Sequence, residues 1–173
     1  MTRFCQGDSR AFDALFARYH RAVHAYLFRM LGNRAASEDL TQATFLSLVR
    51  ARGRFIAGHR FRPWLYAIAT NAARDHLRRR RPEELTPEGE LPRDAVSEGP
   101  GPKDAGLEKR VHQALALLPE AQREAIVMHR FEGLSFGEIS EALGLTESAV
   151  KVRAHRGYER LRTLLADLKE DAR

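Results

Sequence analysis

The sequence predicts an all-α protein made of two small helical domains joined by a flexible acidic linker, and three observations lead there. Apolar residues recur at three-to-four spacing along several stretches. No alternating apolar and polar run is long enough to read as a strand. A stretch rich in Pro and Gly breaks the helical periodicity between residues 82 and 107.

Asp8 and Ser9 can cap a first helix, whose apolar residues Phe12, Leu15, Phe16, Tyr19, Val23, Tyr26, Leu27 and Met30 form one stripe until Gly32-Asn33 ends it. A second helix is expected from near Ser37. Its apolar residues Leu40, Phe45, Leu46, Leu48 and Val49 spread around more of the circumference than one core-facing stripe needs, so some face a partner. The periodicity lapses from Gly53 to Arg62. Pro63, suited to a first helical turn, then opens a third helix through Trp64, Leu65, Ile68, Ala69 and Ala72 toward Arg81. Residues 1–81 thus read as a helical bundle.

Residues 82–107 hold five prolines and four glycines and cannot bury a core, so a flexible tether is expected. In residues 108–173, Val111, Leu115 and Leu118 mark a short helix stopped by Pro119, and Ala121, Ala125, Ile126 and Met128 mark another before Gly133. No internal repeat is present.

A chain of 173 residues that is 43% hydrophobic suits one ordinary domain or two small ones and excludes a disordered or fibrous protein. No apolar run approaches the roughly 18 residues that span a bilayer, and no signal-peptide pattern is seen, so the expected place is the cytoplasm without membrane insertion. Cys5 is the one cysteine, which rules out an internal disulfide or a thiolate cluster. The net charge of +6 favours a polyanionic partner, and its distribution is segmented. Residues 1–81 hold 16 Lys/Arg against 5 Asp/Glu, the linker 2 against 7, and residues 108–173 hold 11 of each.

The clearest motif runs from Phe136 to His155. Ile139 and Leu143 face inward from a short helix, Gly144 permits a left-handed turn, Thr146 caps a second helix, and Leu145 and Val150 lock it. This is a helix-turn-helix. Its inward stripe continues through Ala154, Gly157 or Tyr158, Leu161 and Leu165. The opposite face offers Glu147, Ser148, Lys151, Val152, His155 and Arg156, a set suited to a major groove, with Lys151, Arg153, Arg156 and Arg160 placed for phosphates or guanine. The same features fit a solvated charged helix on an αα-hairpin, but the spacing together with the basic face favours DNA.

On the third helix Ala67, Asn71, Arg74 and Arg78 form a stripe ending in four consecutive arginines, with Phe61, Trp64 and Tyr66 nearby. Aromatics beside a basic track suit unpaired nucleic acid. The competing reading places the aromatics in the core and the arginines at a helix C-terminus.

Four stretches in this order carry a resemblance that covers nearly the whole chain: GDSRAFDALFARYH, EDLTQATFLSLVRAR, FRPWLYAIATNAARDHLRRR and LPEAQREAIVMHRFEGLSFGEISEALGLTESAVKVRAHRGYERLR. Together they resemble the extracytoplasmic-function (ECF) group of bacterial RNA polymerase sigma factors. The resemblance implies a sigma factor that directs core polymerase to promoters. Residues 1–81 would be sigma domain two, and residues 108–173 sigma domain four. It implies that Asp39, Gln42, Phe45, Leu46 and Val49 contact the clamp coiled coil of the largest polymerase subunit. Gly58, His59, Arg60, Phe61 and Arg62, with Asn71, Arg74 and Arg78, would take the minus-ten element. Glu147, Ser148, Lys151, Val152, Arg153, His155, Arg156 and Arg160 would read the minus-thirty-five element. The acidic linker would lie in the RNA path of the polymerase. An anti-sigma factor is implied as a regulator, and no cofactor or metal. Ala154 departs from the pattern, since the group commonly carries a bulky apolar residue there.

Two other readings are weighed against this one. A helix-turn-helix repressor or activator would need no polymerase surface, so substituting Asp39 or Leu46 would leave its DNA affinity intact. An enzyme such as a nuclease would need converging carboxylates or histidines. The sequence offers only His20 and His24 one turn apart, better read as two surface imidazoles than as ligands.

Overall fold

The computed structural model describes residues 1–56, 58–80 and 105–170. Helix α1 (Thr2–Cys5) is a single turn that places Phe4 in the core beside Phe12. Helix α2 (Ser9–Leu31) starts where the Asp8 carboxylate accepts the amides of Arg10 and Ala11 at 2.9 and 3.3 Å, and it ends at Gly32, whose φ of 65° is left-handed. Helix α3 (Arg34–Arg50) begins three residues before the expected start at Ser37. The reason is Asn33: besides following the glycine stop, its side chain accepts the Ala36 amide at 2.9 Å and caps the next helix.

A 3₁₀ turn (Arg52–Arg54) leads through the loop to α4 (Phe61–Arg80). This helix also starts earlier than expected. Pro63 lies within its first turn, where a missing N–H costs no intrahelical bond. Arg81, and the expected linker up to residue 104, lie outside the described residues. Helix α5 (Ala105–Ala116) already includes the last three positions assigned to that linker, so the helical part of the second unit begins before residue 108.

Pro119 sets the start of α6 (Glu120–Ile126), which runs directly into a π-helical turn (Val127–Phe131). The wider turn closes with Glu132 N–H donating to Val127 O at 3.1 Å and Leu134 N–H to Met128 O at 3.0 Å. Helices α7 (Phe136–Leu143) and α8 (Glu147–Glu170) complete the chain, and among the described residues there is no strand.

Helices α2, α3 and α4 pack as a bundle around Val23, Tyr26, Leu27, Met30, Leu48, Leu65 and Ala69. Helices α5 to α8 pack around Leu115, Leu118, Ile126, Met128, Ile139, Val150 and Ala154. Ala154 is fully covered, so the departure noted there leaves no gap to solvent. Gly157 explains how: a Cβ at that position would lie 2.6 Å from Ile126 Cδ1, so the glycine lets α8 approach α6 closely.

Inside the first bundle, the hydroxyls of Thr41, Thr44 and Thr70 are satisfied by the carbonyls of Ser37, Leu40 and Tyr66, at 2.6 to 2.7 Å. Because the Thr70 proton is committed in this way, the Tyr26 hydroxyl donates to Thr70 Oγ1 at 2.7 Å. The two units meet along α2 and α4, with α5 and the π turn against α2 and α7 against α4.

Candidate nucleic-acid interface

The helix-turn-helix is built by local chemistry. Ser135 accepts the Glu138 amide at 3.2 Å while the Glu138 carboxylate accepts the Ser135 amide at 2.9 Å, a reciprocal capping box that fixes the start of α7. The bond to the Ser135 amide, first among the causes, holds the Glu138 carboxyl below its ordinary pKa. Gly144 at φ 65°, ψ 38° makes the turn, Leu145 N–H returns to Ser140 O at 3.1 Å, and Thr146 Oγ1 accepts the Ala149 amide at 3.2 Å to cap α8. His129 buttresses the motif from below: its ring stacks on Phe136 at 4.2 Å, and its Nδ1 donates to Leu134 O at 2.9 Å.

The outer face of α8 presents Glu147, Ser148, Lys151, Val152, His155, Arg156 and Arg160, all exposed, with Arg153 half-buried at its flank. Part of the charge is paired along the helix. Lys151 Nζ lies 2.7 Å from Glu147 and His155 Nε2 lies 3.4 Å from Glu159. Arg156 and Arg160 take no part in those two pairs. Val152, about half exposed, adds a methyl-sized contact in the middle of the face.

The basic track of α4 is divided. Asn71 and Arg78 are exposed, and Arg78 touches only its neighbour Asp75, at 2.9 Å, among its described contacts. Arg74 instead forms a two-pronged pair with Glu124 of α6, Nε to Oε1 at 2.6 Å and Nη2 to Oε2 at 2.7 Å, and that pairing raises its pKa. Arg62 donates to the backbone carbonyl of Glu132. Of the remaining loop residues, Gly58 has φ 94° and is exposed, as are His59 and Arg60. Phe61 is half-buried against Tyr19, with ring centres 5.2 Å apart. The neighbouring aromatics are mainly structural: Tyr66 is buried, and Trp64 packs on Phe55 at 5.1 Å.

On α3, Asp39, Gln42 and Leu46 project from one face, and Leu46 is 58% exposed. Val49 is half-buried. Phe45 corrects the expected set: it is 3% exposed, held in the core edge-on to Phe16 at 4.8 Å and to Phe12 at 6.4 Å, so it supports the face from beneath and is not itself a contact surface. The surplus apolar surface of the second helix therefore comes down to Leu46 and part of Val49.

Three residues escaped the sequence reading. Glu124, Glu132 and Arg123 are all buried or nearly so, and all act between the two units. Tyr66 donates to Glu132 Oε2 at 2.6 Å, and Arg29 approaches Oε1 at 3.4 Å while its guanidinium lies over the Phe131 ring. Burial pushes the Glu132 pKa up despite these donors. Arg123 donates to Met30 O at the end of α2 and to Ala116 O and Leu118 O of its own unit, and burial pushes its pKa down. Pairings 50 to 103 residues apart leave no local trace in the chain. The Ser135 capping box also went unread, although the Ser-x-x-Glu spacing to Glu138 is a local signal that could have found it. Among the described residues no group of His, Cys, Asp and Glu converges as a metal site, and His20 stacks on Phe16 at 4.8 Å.

A helix-turn-helix with an exposed basic face, joined to a second helical unit that carries its own arginine track, defines a DNA-binding transcription protein. Comparison with known proteins narrows the class. Residues 15–83 match the Sigma-70 region 2 family and residues 108–161 match Sigma-70 region 4. The chain is 46% identical to RNA polymerase sigma factor CarQ of Myxococcus xanthus, over 97% of each chain. It is 32% identical to ECF RNA polymerase sigma factor SigW of Bacillus subtilis, over 94% of this chain and 93% of that one. Among solved structures it is similar to CnrH in complex with the cytosolic domain of CnrY, with TM-score 0.76, 29% identity and coverage of 96% and 94%. The fold is also that of the sigma factor RpoE of Bartonella quintana bound to the anti-sigma factor NepR, with TM-score 0.70, 23% identity and coverage of 91% and 98%. The chain belongs to the extracytoplasmic-function group of RNA polymerase sigma factors.

Proposed function

We propose that this chain binds core RNA polymerase through α3 and places two DNA-reading surfaces on a promoter. Asp39, Gln42 and Leu46, flanked by Val49, meet the clamp coiled coil of the largest subunit. Asn71, Arg74 and Arg78, with the loop from Gly58 to Arg62, take the minus-ten strand. Glu147, Ser148, Lys151, Val152, Arg153, His155, Arg156 and Arg160 face the minus-thirty-five element. In this reading residues 1–81 and 108–173 are the working domains, although helix extends back to Ala105.

One observation carries the polymerase assignment. Leu46 stands 58% exposed beside polar Asp39 and Gln42, on a helix whose inner face is already filled. An apolar centre ringed by polar side chains is the general anatomy of a protein contact, and Leu46 with the half-buried Val49 supplies such a centre on the helix that the family resemblance assigns to the polymerase. Phosphodiester chemistry then belongs to the core enzyme, and this chain contributes recognition and melting without catalysis. Both partners imply a cytoplasmic setting, and among the described residues no helix is long and apolar enough to cross a membrane. CnrH is solved in complex with the cytosolic domain of CnrY and RpoE of Bartonella quintana in complex with the anti-sigma factor NepR, and we infer an anti-sigma partner for this chain.

The test is direct association with core bacterial polymerase, read by gel filtration. L46D and D39A, separately and together, are expected to abolish co-elution while helix content and melting stay unchanged. Undiminished co-elution of the double variant removes α3 as the docking face.

A further inference from the structure

The outer face of α8 is laid out in two rows of four-residue spacing, and the rows differ in chemistry. One row, Glu147, Lys151, His155 and Glu159, is bridged along the helix: Lys151 Nζ lies 2.7 Å from Glu147, and His155 Nε2 lies 3.4 Å from Glu159. Lys151 is also drawn toward Phe136, its Nζ 6.0 Å from the ring centre. The other row is Ser148, Val152, Arg156 and Arg160, and none of these four takes part in those pairs. Val152 is the only apolar member of the two rows and stands 49% exposed, while Val150 and Ala154 on the inward side of the same helix are buried. It lies in the second turn of α8, within reach of base edges when the start of the helix enters a groove. As a β-branched side chain in a helix it has one strongly preferred rotamer, so its methyls are set in place before DNA arrives.

In the major groove the base edges carry hydrogen-bonding groups and a single apolar one, the C5-methyl of thymine. We propose that Val152 seats on the C5-methyl of a thymine in the minus-thirty-five element and selects for that base, while Arg156 and Arg160, one and two turns further on, hold the phosphate backbone. The inference rests on the reading of α8 as a DNA face and names the base chemistry which that reading leaves open. Ser148, one turn before Val152, can donate or accept, so it discriminates little between neighbouring bases. Lys151 shares its charge with Glu147, and the electrostatic hold on DNA falls mainly to the two arginines. Specificity and affinity are in this way divided along one row of the helix.

The test uses the full chain bound to core bacterial polymerase, with a promoter duplex taken from a mapped chain-dependent transcript start as probe. Each thymine of its minus-thirty-five region, on either strand, is replaced in turn by deoxyuridine, which pairs identically and lacks only the methyl. At one position the replacement is expected to weaken binding by about fourfold, the worth of one buried methyl. V152A is expected to bind the thymine duplex more weakly by a similar factor and to be indifferent to deoxyuridine at that position, the signature of a direct pair in a double-mutant cycle. R156A/R160A is expected to weaken binding to the thymine and deoxyuridine duplexes alike. If R156A/R160A weakens binding but no deoxyuridine duplex differs from its thymine parent, Val152 reads no methyl and the DNA face of α8 stands. A methyl whose removal costs V152A as much as the unmutated chain belongs to another side chain, and the proposal is overturned. If R156A/R160A binds as the unmutated chain does, the reading of α8 as a DNA face fails and the proposal with it.

Discussion

Single residues fix the most sensitive points of this protein. Gly157 has no room for a methyl group, with Ile126 Cδ1 2.6 Å from where a Cβ would stand, so Gly157→Ala should destabilise the second unit by about 1–3 kcal/mol through overpacking. Thermal melting followed by circular dichroism measures it, and an unchanged melting point would mean that α8 can shift away without loss. The Ser135 and Glu138 capping box should be worth ~1 kcal/mol by Ser135→Ala. Its pH dependence follows from the lowered Glu138 pKa. The stabilisation is complete above the ordinary glutamate pKa of 4.5 and is lost as pH falls through the lower folded value. The gap in melting temperature between wild type and Ser135→Ala should therefore narrow in acid. Glu132, whose pKa is raised by burial, has the opposite sign: its contribution is complete below 4.5 and is lost as pH rises through the folded value. The Tyr66 hydroxyl and the Arg29 and Arg62 guanidiniums, which favour the charged form, oppose that rise without cancelling it.

At the scale of elements, α3 shows how two residues with similar side chains divide their work. Phe45→Ala, at 3% exposure between Phe12 and Phe16, should cost about 3–5 kcal/mol of stability. Leu46→Ala, one position on and 58% exposed, should change stability by no more than about 0.5 kcal/mol while weakening polymerase association. Urea unfolding of both variants decides it, and a large stability loss for Leu46→Ala would place that residue in the core. On α8, Arg156→Ala should lower affinity for duplex DNA evenly across sequences and reduce the salt slope by about one unit. The sequence made these elements legible because helix stops, caps and turn glycines act over a few residues. Gly32, Pro119 and Gly144 each mark a boundary where the structure has one. The starts of α3 and α4 were read late, because Asn33 caps the next helix directly after the glycine stop and Pro63 sits inside the first turn of its helix. Phe45 entered the contact set through the family resemblance, which carries a position over without saying how far its ring is covered, and here Phe12 and Phe16 of α2 cover it.

At the scale of the whole molecule, two apolar cores meet across an interface of a different kind. Within each unit the contacts are aliphatic and aromatic, whereas between them the principal bonds are Arg74 with Glu124, Arg62 and Tyr66 with Glu132, and Arg123 with Met30 O. A polar interface of this sort separates more readily than a core, since each charged partner can return to water. The domain order and the electrostatic segmentation were readable from composition. The meeting of the units was not, since nothing near Glu124 in the chain points to Arg74.

Transcription reconstituted in vitro tests the central claim most directly: core bacterial polymerase with and without this chain on a mixed genomic template, with transcript starts mapped. Starts at defined promoters that require the chain, and that disappear with L46D/D39A, are the expected result. Absence of chain-dependent starts with a cognate core, while the chain alone binds duplex sites tightly, would contradict it and leave a helix-turn-helix regulator that works without polymerase contact.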